Sequence, residues 1–99
     1  MQSFDAEQVE SLQVRVGEQV TLVSPRLAVL PPYRLLDAFV EVPETVEVAD
    51  KAPLDYEGAY GATFCLRATA RGTGHLIVGL RDVRTGEIRR SKRIRLVAA

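Results

Sequence analysis

The chain has 99 residues, which is enough for one compact domain with one hydrophobic core and too few for a second domain. With 46% hydrophobic and 26% charged residues, its composition excludes the disordered and collagen-like classes of protein. The formal net charge is zero, yet residues 1–60 carry 11 acidic and 4 basic side chains, while residues 61–99 carry 2 acidic and 9 basic ones.

Alternation of apolar and polar residues, the pattern of half-buried strands, recurs along the chain. In chain order the predicted strands cover residues 12–16, 19–23, 36–42, 46–48, 63–70, 75–80 and 93–98. Glycine or proline separates them at short intervals. Gly17 joins the first two strands tightly, Pro43 ends the third, and residues 72–74 are expected to form the turn after the fifth. A helical start signal occurs at Ser3, and it predicts one turn at most.

These short strands predict an all-β fold in which two sheets pack face to face as a sandwich. Residues 1–99 are expected to form a single domain, with residues 1–8 as a flexible N-terminal segment or one helical turn. The apolar residues expected to point into the core are Val14, Val16, Val20, Leu22, Leu36, Val40, Val42, Val46, Val48, Phe64, Leu66, Leu76, Val78, Leu80, Ile94 and Leu96.

The single histidine and the single cysteine are the candidates for catalytic chemistry. His75 could transfer protons near neutral pH, but strand parity places it on the outer face beside Ile77, with no nucleophile next to it. Cys65 would need nearby positive charge to stabilise its thiolate, and Arg67 lies on the same face of the same predicted strand. We expect a solvated histidine, an inert thiol, and no catalytic residue, metal or cofactor. The predicted class of protein is therefore non-enzymatic.

The C-terminal run at residues 89–95 contains five cationic side chains. Such a run can bind the phosphate backbone of a nucleic acid, or it can protect an edge strand from pairing with other chains. Because residues 65–99 contain no aromatic side chain for base stacking, nucleic acid is the weaker interpretation. The opposite charges of the two halves either screen each other within one fold or promote weak self-association at low ionic strength.

The sequence also bears on location. No apolar run is long enough to span a bilayer, and the chain does not open with a signal-peptide pattern, so we expect no membrane insertion. The chain is then cytoplasmic, or periplasmic or at the cell surface if it is the mature part of an exported protein. A single cysteine does not decide between these compartments.

Two connections, at residues 24–34 and 50–62, are long for a domain of this size and are candidates for binding a protein partner. They contain Tyr33, Tyr56 and Tyr60, whose side chains offer amphipathic contact surface. The same tyrosines equally fit a structural role as caps on the ends of the core.

Three segments, VRVGEQVTL at 14–22, FCLRATARGTGHLIVGL at 64–80 and IRLVAA at 94–99, resemble the strand and turn frame of bacterial immunoglobulin-like domains. The resemblance implies an immunoglobulin-like antiparallel sandwich of about seven strands. It also implies a binding or assembly module that recognises a protein partner through its loops.

The same layout is similar to that of the chagasin-type inhibitors of papain-like cysteine proteases, which insert three loops into the protease cleft. Residues 58–61 resemble their middle glycine-rich loop, and residues 81–86 stand at the place of their Arg-Pro-Trp loop. The chain departs from that pattern twice: SPRLAVLPPY replaces their Asn-Pro-Thr-Thr-Gly loop, and no Pro-Trp pair follows Arg81. Together the loops predict partner-binding roles for Tyr33, Tyr56, Gly58, Tyr60, Gly61, Arg81 and Arg84. A general binding module and a protease inhibitor both remain open on this basis.

Overall fold

The computed structural model describes residues 2–28, 36–53 and 59–99, which form strands and turns and contain no helix. In chain order the strands are β1 (Gln2–Asp5), β2 (Ser11–Val14), β3 (Gln19–Val23), β4 (Leu27–Ala28), β5 (Leu36–Glu41), β6 (Val46–Pro53), β7 (Ala59–Tyr60), β8 (Ala62–Ala68), β9 (Gly72–Asp82) and β10 (Ile88–Ala98). Across these ranges, nothing has the length and hydropathy of a membrane-spanning helix.

Eight of the strands build two mixed, four-stranded sheets that pack as a sandwich. Sheet A has the order β1-β3-β8-β6, and sheet B has the order β2-β10-β9-β5; β4 and β7 form a separate short pair. The predicted all-β, two-sheet sandwich is confirmed, and the arrangement is consistent with an immunoglobulin-like fold. Pairing is antiparallel except at one edge of each sheet, where β1 lies parallel to β3 and β2 lies parallel to β10.

The core lies between the two sheets, because alternate residues of the central strands face inward. The predicted core residues that are buried are Val14, Val20, Leu22, Val46, Phe64, Leu66, Leu76, Val78, Leu80, Ile94 and Leu96. Small and additional apolar side chains complete the buried set: Ala6, Leu12, Ala38, Ala62, Ala68 and Ala98. Alternation along the central strands therefore predicted most of the core.

The core prediction was wrong for two valines. Val16 is 44% exposed because β2 ends at Val14 and Val16 lies in the crossing to the other sheet, where its amide donates to the Ala99 carbonyl (3.0 Å). Val48 is 41% exposed because only the first residue of the edge strand β6, Val46, is covered by the core, and every later residue of that strand is exposed. Three further members of the predicted set are half-buried: Leu36, Val40 and Val42.

The turn expected at residues 72–74 lies instead at residues 69–71, and β9 begins at Gly72. Gly74 belongs to the strand, where an added Cβ would lie 2.9 Å from the Cβ of Pro43. This glycine permits a close approach of two chain segments and does not form a turn.

The N-terminal segment also differs from its prediction. Residues 2–5 form β1, paired with β3 from Gln2 opposite Val20 to Asp5 opposite Val23, and no helical turn is capped by Ser3. Because β1 pairs in parallel with a strand that does not follow it directly in the chain, no local sequence pattern could predict this pairing. The flexibility expected of residues 1–8 stays a prediction.

Candidate functional site

Three connections of the chain leave the two sheets at the same end of the sandwich. In sheet A, Val23 at the end of β3 is opposite Thr63, and Pro53 at the end of β6 is opposite Ala62 at the start of β8. In sheet B, Leu36 at the start of β5 is opposite Asp82 at the end of β9. The connections that join β3 to β5, β6 to β8 and β9 to β10 therefore leave from corresponding ends of their sheets.

Two side chains hold these ends of the sheets together. Lys51 of β6 reaches across to β5, where its Nζ donates to Asp37 Oδ1 (2.8 Å) and to the Ala38 carbonyl (2.7 Å). Arg90 of β10 donates from Nη1 to the carbonyl of Arg26, in the segment after β3 (2.7 Å). The two sheets thus present their connections side by side, and we call this end of the sandwich the loop end.

A buried serine fixes the base of two of the connections. The Ser24 amide donates to the Ala62 carbonyl (2.9 Å), and the Ala62 amide donates back to Ser24 Oγ (3.0 Å). The Ser24 hydroxyl in turn donates to the Pro25 carbonyl (2.9 Å). Because Ser24 is fully buried, this exchange replaces hydrogen bonds that water would otherwise supply.

The predicted partner-binding residues of the middle connection are partly described. Tyr60 lies in β7 opposite Leu27, half-buried against the core, and Gly61 follows it. Both line a cleft between β5 and β6 that also contains Lys51. Tyr33, Tyr56 and Gly58 lie outside the described residues. Part of the connection predicted at 50–62 is strand, since β6 continues to Pro53.

Arg81 lies at the base of the third connection, half-buried on the outer face of sheet B. Its guanidinium carbon is 4.3 Å from the centroid of the Phe39 ring, and its Nε is buried without a hydrogen-bond partner in the described part of the chain. Arg84, in contrast, is exposed in the turn itself. The two arginines predicted to contact a partner therefore lie in different environments.

The turn at residues 82–87 is held by a dense set of hydrogen bonds. Asp82 Oδ1 accepts from the amides of Arg84 (2.8 Å) and Thr85 (3.3 Å). The Gly86 amide donates to the Asp82 carbonyl (2.8 Å), and the Asp82 amide donates to the Glu87 carbonyl (2.8 Å). Gly86 has a φ of 73°, a left-handed conformation that glycine adopts without strain. The turn is consequently fixed by its own backbone.

This turn presents an apolar residue that the sequence reasoning missed. Val83 is 57% exposed, the most exposed of the large hydrophobic side chains in the described ranges. Strand alternation stops at Asp82, so periodicity carries no information about Val83. The signal that could have identified it is Asp82 followed by Thr85-Gly86, because aspartate commonly caps such turns.

The catalytic candidates lie away from the loop end. His75 is exposed on the outer face of β9, as strand parity predicted, and Cys65 is half-buried on β8. Arg67 shares the face of Cys65, and its Nε is 3.9 Å from Glu47 Oε1. Within residues 2–28, 36–53 and 59–99 there is no group of three or more His, Cys, Asp or Glu side chains that could hold a metal ion.

No protein-family model and no curated protein sequence matches the chain. Its fold is similar to the crystal structure of the cysteine protease inhibitor EhICP2 from Entamoeba histolytica, with a TM-score of 0.73 at 15% sequence identity, covering 99% of this chain and 94% of that chain. The solution structure of amebosin aligns with a TM-score of 0.49 at 12% identity, covering 98% of this chain and 94% of that chain.

The similarity to EhICP2 concerns the fold. The sandwich of EhICP2 has the layout implied by the resemblance to chagasin-type inhibitors. EhICP2 itself is an inhibitor and not an enzyme. The non-enzymatic class expected from the sequence is consistent with it. The resemblance to bacterial immunoglobulin-like domains beyond the sandwich itself stays a prediction.

Proposed function

We propose that the chain is a chagasin-type inhibitor of papain-like cysteine proteases, which blocks the protease by placing its loop end in the substrate cleft. The observation that carries the proposal is the convergence of three connections at one end of a sandwich similar to the inhibitor EhICP2. A cleft is closed most simply by several adjacent loops on a rigid scaffold. The partner is then a protein, and the inhibitor supplies no chemistry of its own.

The turn at 82–87 is suited to this role because it is ordered before binding. Four hydrogen bonds to or from Asp82 hold its backbone, so little conformational entropy remains to be lost in a complex. Val83 and Arg84 project from it, one apolar and one cationic. An exposed apolar side chain on a fixed turn is well placed to fill a pocket of a partner.

The third loop lacks the Pro-Trp pair of the chagasin-type pattern, so its contacts must be made by other residues. Arg81 packs on Phe39 and acts as a support beneath the turn, whereas Val83 stands where the Arg-Pro-Trp loop would offer its large apolar residue. We therefore assign the principal contact of the third loop to Val83, with Arg84 beside it. Tyr60 and Gly61 border the second loop, to which the predicted contacts Tyr56 and Gly58 also belong.

The proposal is tested by measuring binding to a papain-like protease in two forms. The chain is passed over immobilised free protease and over the same protease whose active-site cysteine carries a small covalent inhibitor. Binding to the free form alone supports occupation of the cleft. Equal binding to both forms contradicts it and leaves the broader alternative, a module that recognises a protein partner elsewhere.

Two matched variants locate the contact. Val83→Asp places a charge at the loop end, and Val16→Asp makes the same change at an exposed valine on the opposite end of the sandwich. Val83→Asp is expected to weaken binding at least tenfold, because a carboxylate must be desolvated in the interface. Val16→Asp is expected to bind like the wild type. Equal affinities for all three proteins would remove the assignment to Val83.

A further inference from the structure

The outer face of sheet B carries a group of cationic side chains that the proposed inhibitory function does not use. Ile94 and Leu96 point into the core, so Arg93 and Arg95 point outward from β10. His75 of β9 is directly opposite Arg95, and its Nδ1 is 3.3 Å from Arg93 Nη2. We call these three side chains the cationic triad.

The triad differs from the other cations of the same strand. Arg90 Nη1 is 3.4 Å from a carboxylate oxygen of Glu7, and Lys92 Nζ is 3.0 Å from one of Glu10. Arg89 pairs likewise with Glu87 at 3.1 Å. Acidic residues of the N-terminal segment thus pair with two of the cations of β10 within one molecule.

No acidic side chain of the described residues pairs with Arg93 or Arg95. Two like charges two residues apart on one face lie about 7 Å from each other along the strand, and they repel. His75 Nδ1 accepts a hydrogen bond from Arg93 Nη2, because a guanidinium group can only donate. All three side chains are exposed, so water screens much of this repulsion, and the side chains are accessible to an anion from outside.

We propose that the cationic triad is a binding site for a linear sulfated polysaccharide, lying on the flank of the sandwich and independent of the loop end. Guanidinium groups bind tetrahedral oxyanions with two parallel hydrogen bonds, and two arginines in a row match a chain that repeats its anionic groups. Clusters of basic residues on a surface are typical of heparin-binding and nucleic-acid-binding patches.

The surroundings of the triad favour the polysaccharide over a single-stranded nucleic acid. Binding of unpaired bases uses aromatic side chains as stacking platforms, and residues 65–99 contain none. Phe39 lies on the same face of the sheet, but its ring is covered by Arg81. A cationic surface without an accessible aromatic ring can bind anionic groups but provides no platform on which a base could stack.

The test measures the affinity of the full chain for heparin fragments by calorimetry at 50 and 200 mM salt. The wild type is expected to bind and to weaken with salt, because released counterions drive such binding. Arg93→Gln/Arg95→Gln is expected to raise the Kd about tenfold, by loss of two charge-assisted contacts. The control, Arg15→Gln/Arg71→Gln, removes the same charge from exposed positions at the end of the sandwich opposite the loop end and is expected to stay within about twofold of the wild type.

Three results would overturn the site: no heparin binding by the wild type, equal loss in both double variants, or equal affinity for desulfated heparin. Single-stranded DNA that binds as tightly as heparin would overturn the choice of polysaccharide. Competition by millimolar inorganic sulfate that abolishes binding would show an adventitious ion only, which contradicts a site for a chain. Thermal unfolding of each variant checks that the exposed substitutions leave the fold intact.

Discussion

The guanidinium group of Arg81 lies over the ring of Phe39, with 4.3 Å between the guanidinium carbon and the ring centroid. The two residues belong to neighbouring strands, since Arg81 is opposite Asp37 and Phe39 is opposite Gly79. The stack holds Arg81, the residue of β9 that directly precedes the turn at 82–87. Arg81, for which the resemblance to chagasin-type inhibitors predicts a partner contact, thus also packs on a neighbouring strand beside the turn.

Replacing Phe39 by leucine is expected to lower the free energy of unfolding by about 1 kcal/mol, because the cation–π contact with Arg81 is lost while an apolar side chain remains. Phe39→Tyr keeps the ring and is expected to be close to neutral. Urea denaturation measures both changes. If leucine and tyrosine give the same stability as phenylalanine, the stack contributes nothing.

Asp82 is expected to matter for both stability and inhibition. Asp82→Ala leaves the amides of Arg84 and Thr85 without their acceptor, which should cost about 2 kcal/mol. It should also weaken inhibition about tenfold, since the turn must then be ordered on binding. Asp82→Asn retains an acceptor oxygen and serves as the control, with smaller losses in both measurements. Unchanged inhibition by the alanine variant would mean that the turn is not a contact.

Ser24→Ala removes the acceptor of the Ala62 amide at the base of the loop end. A buried amide without a partner costs about 1–3 kcal/mol, so a loss of that size is expected in chemical denaturation. Ser91→Ala, at an exposed position on β10, is the control and should change stability little. Equal behaviour of the two variants would show that the Ser24 hydroxyl can be replaced, for example by water.

Gly79 is expected to tolerate no side chain. An added Cβ would clash with the Arg90 carbonyl oxygen and lie 2.9 Å from the Ser91 Cα, beside the irregular pairing between Ile88 and Arg90. Gly79→Ala should therefore destabilise by roughly 2–3 kcal/mol through a backbone clash.

The matched control is Gly17→Ala, where nothing lies within 4 Å and φ is +88°, so the cost is confined to the backbone conformation, about 1 kcal/mol. Thermal unfolding compares the two variants. A Gly79 variant as stable as the Gly17 variant would contradict the close packing of β9 against β10.

The sequence predicted the structural features that depend on local alternation of apolar and polar residues. It did not predict those that depend on pairing between distant strands. Val20 and Leu22, like Leu76 and Val78, alternate within central strands and are buried as expected. Val16 continues the alternation beyond the end of β2, so the pattern wrongly predicted that its side chain is buried. The parallel pairing of β1 with β3 is set by tertiary packing and leaves no mark in either segment.

The candidate site was likewise predicted where it depends on local sequence and missed where it depends on the tertiary fold. The resemblance to chagasin-type inhibitors placed a loop at residues 81–86, but no sequence pattern could show that this connection leaves the sandwich at the same end as those after β3 and β6. The environment of Arg81 depends on Phe39, 42 positions earlier in the chain, and was likewise hidden. Val83 was missed because its exposure follows from the geometry of a turn.

Inhibition of a papain-like protease by the loop end is measured by titrating the chain into active protease while following hydrolysis of a small fluorogenic substrate. Protease activity is expected to fall linearly to near zero at one equivalent. Val83→Asp should require a large excess to reach the same inhibition, while Val16→Asp should not. Full activity with the wild-type chain in micromolar excess would contradict the proposed inhibition.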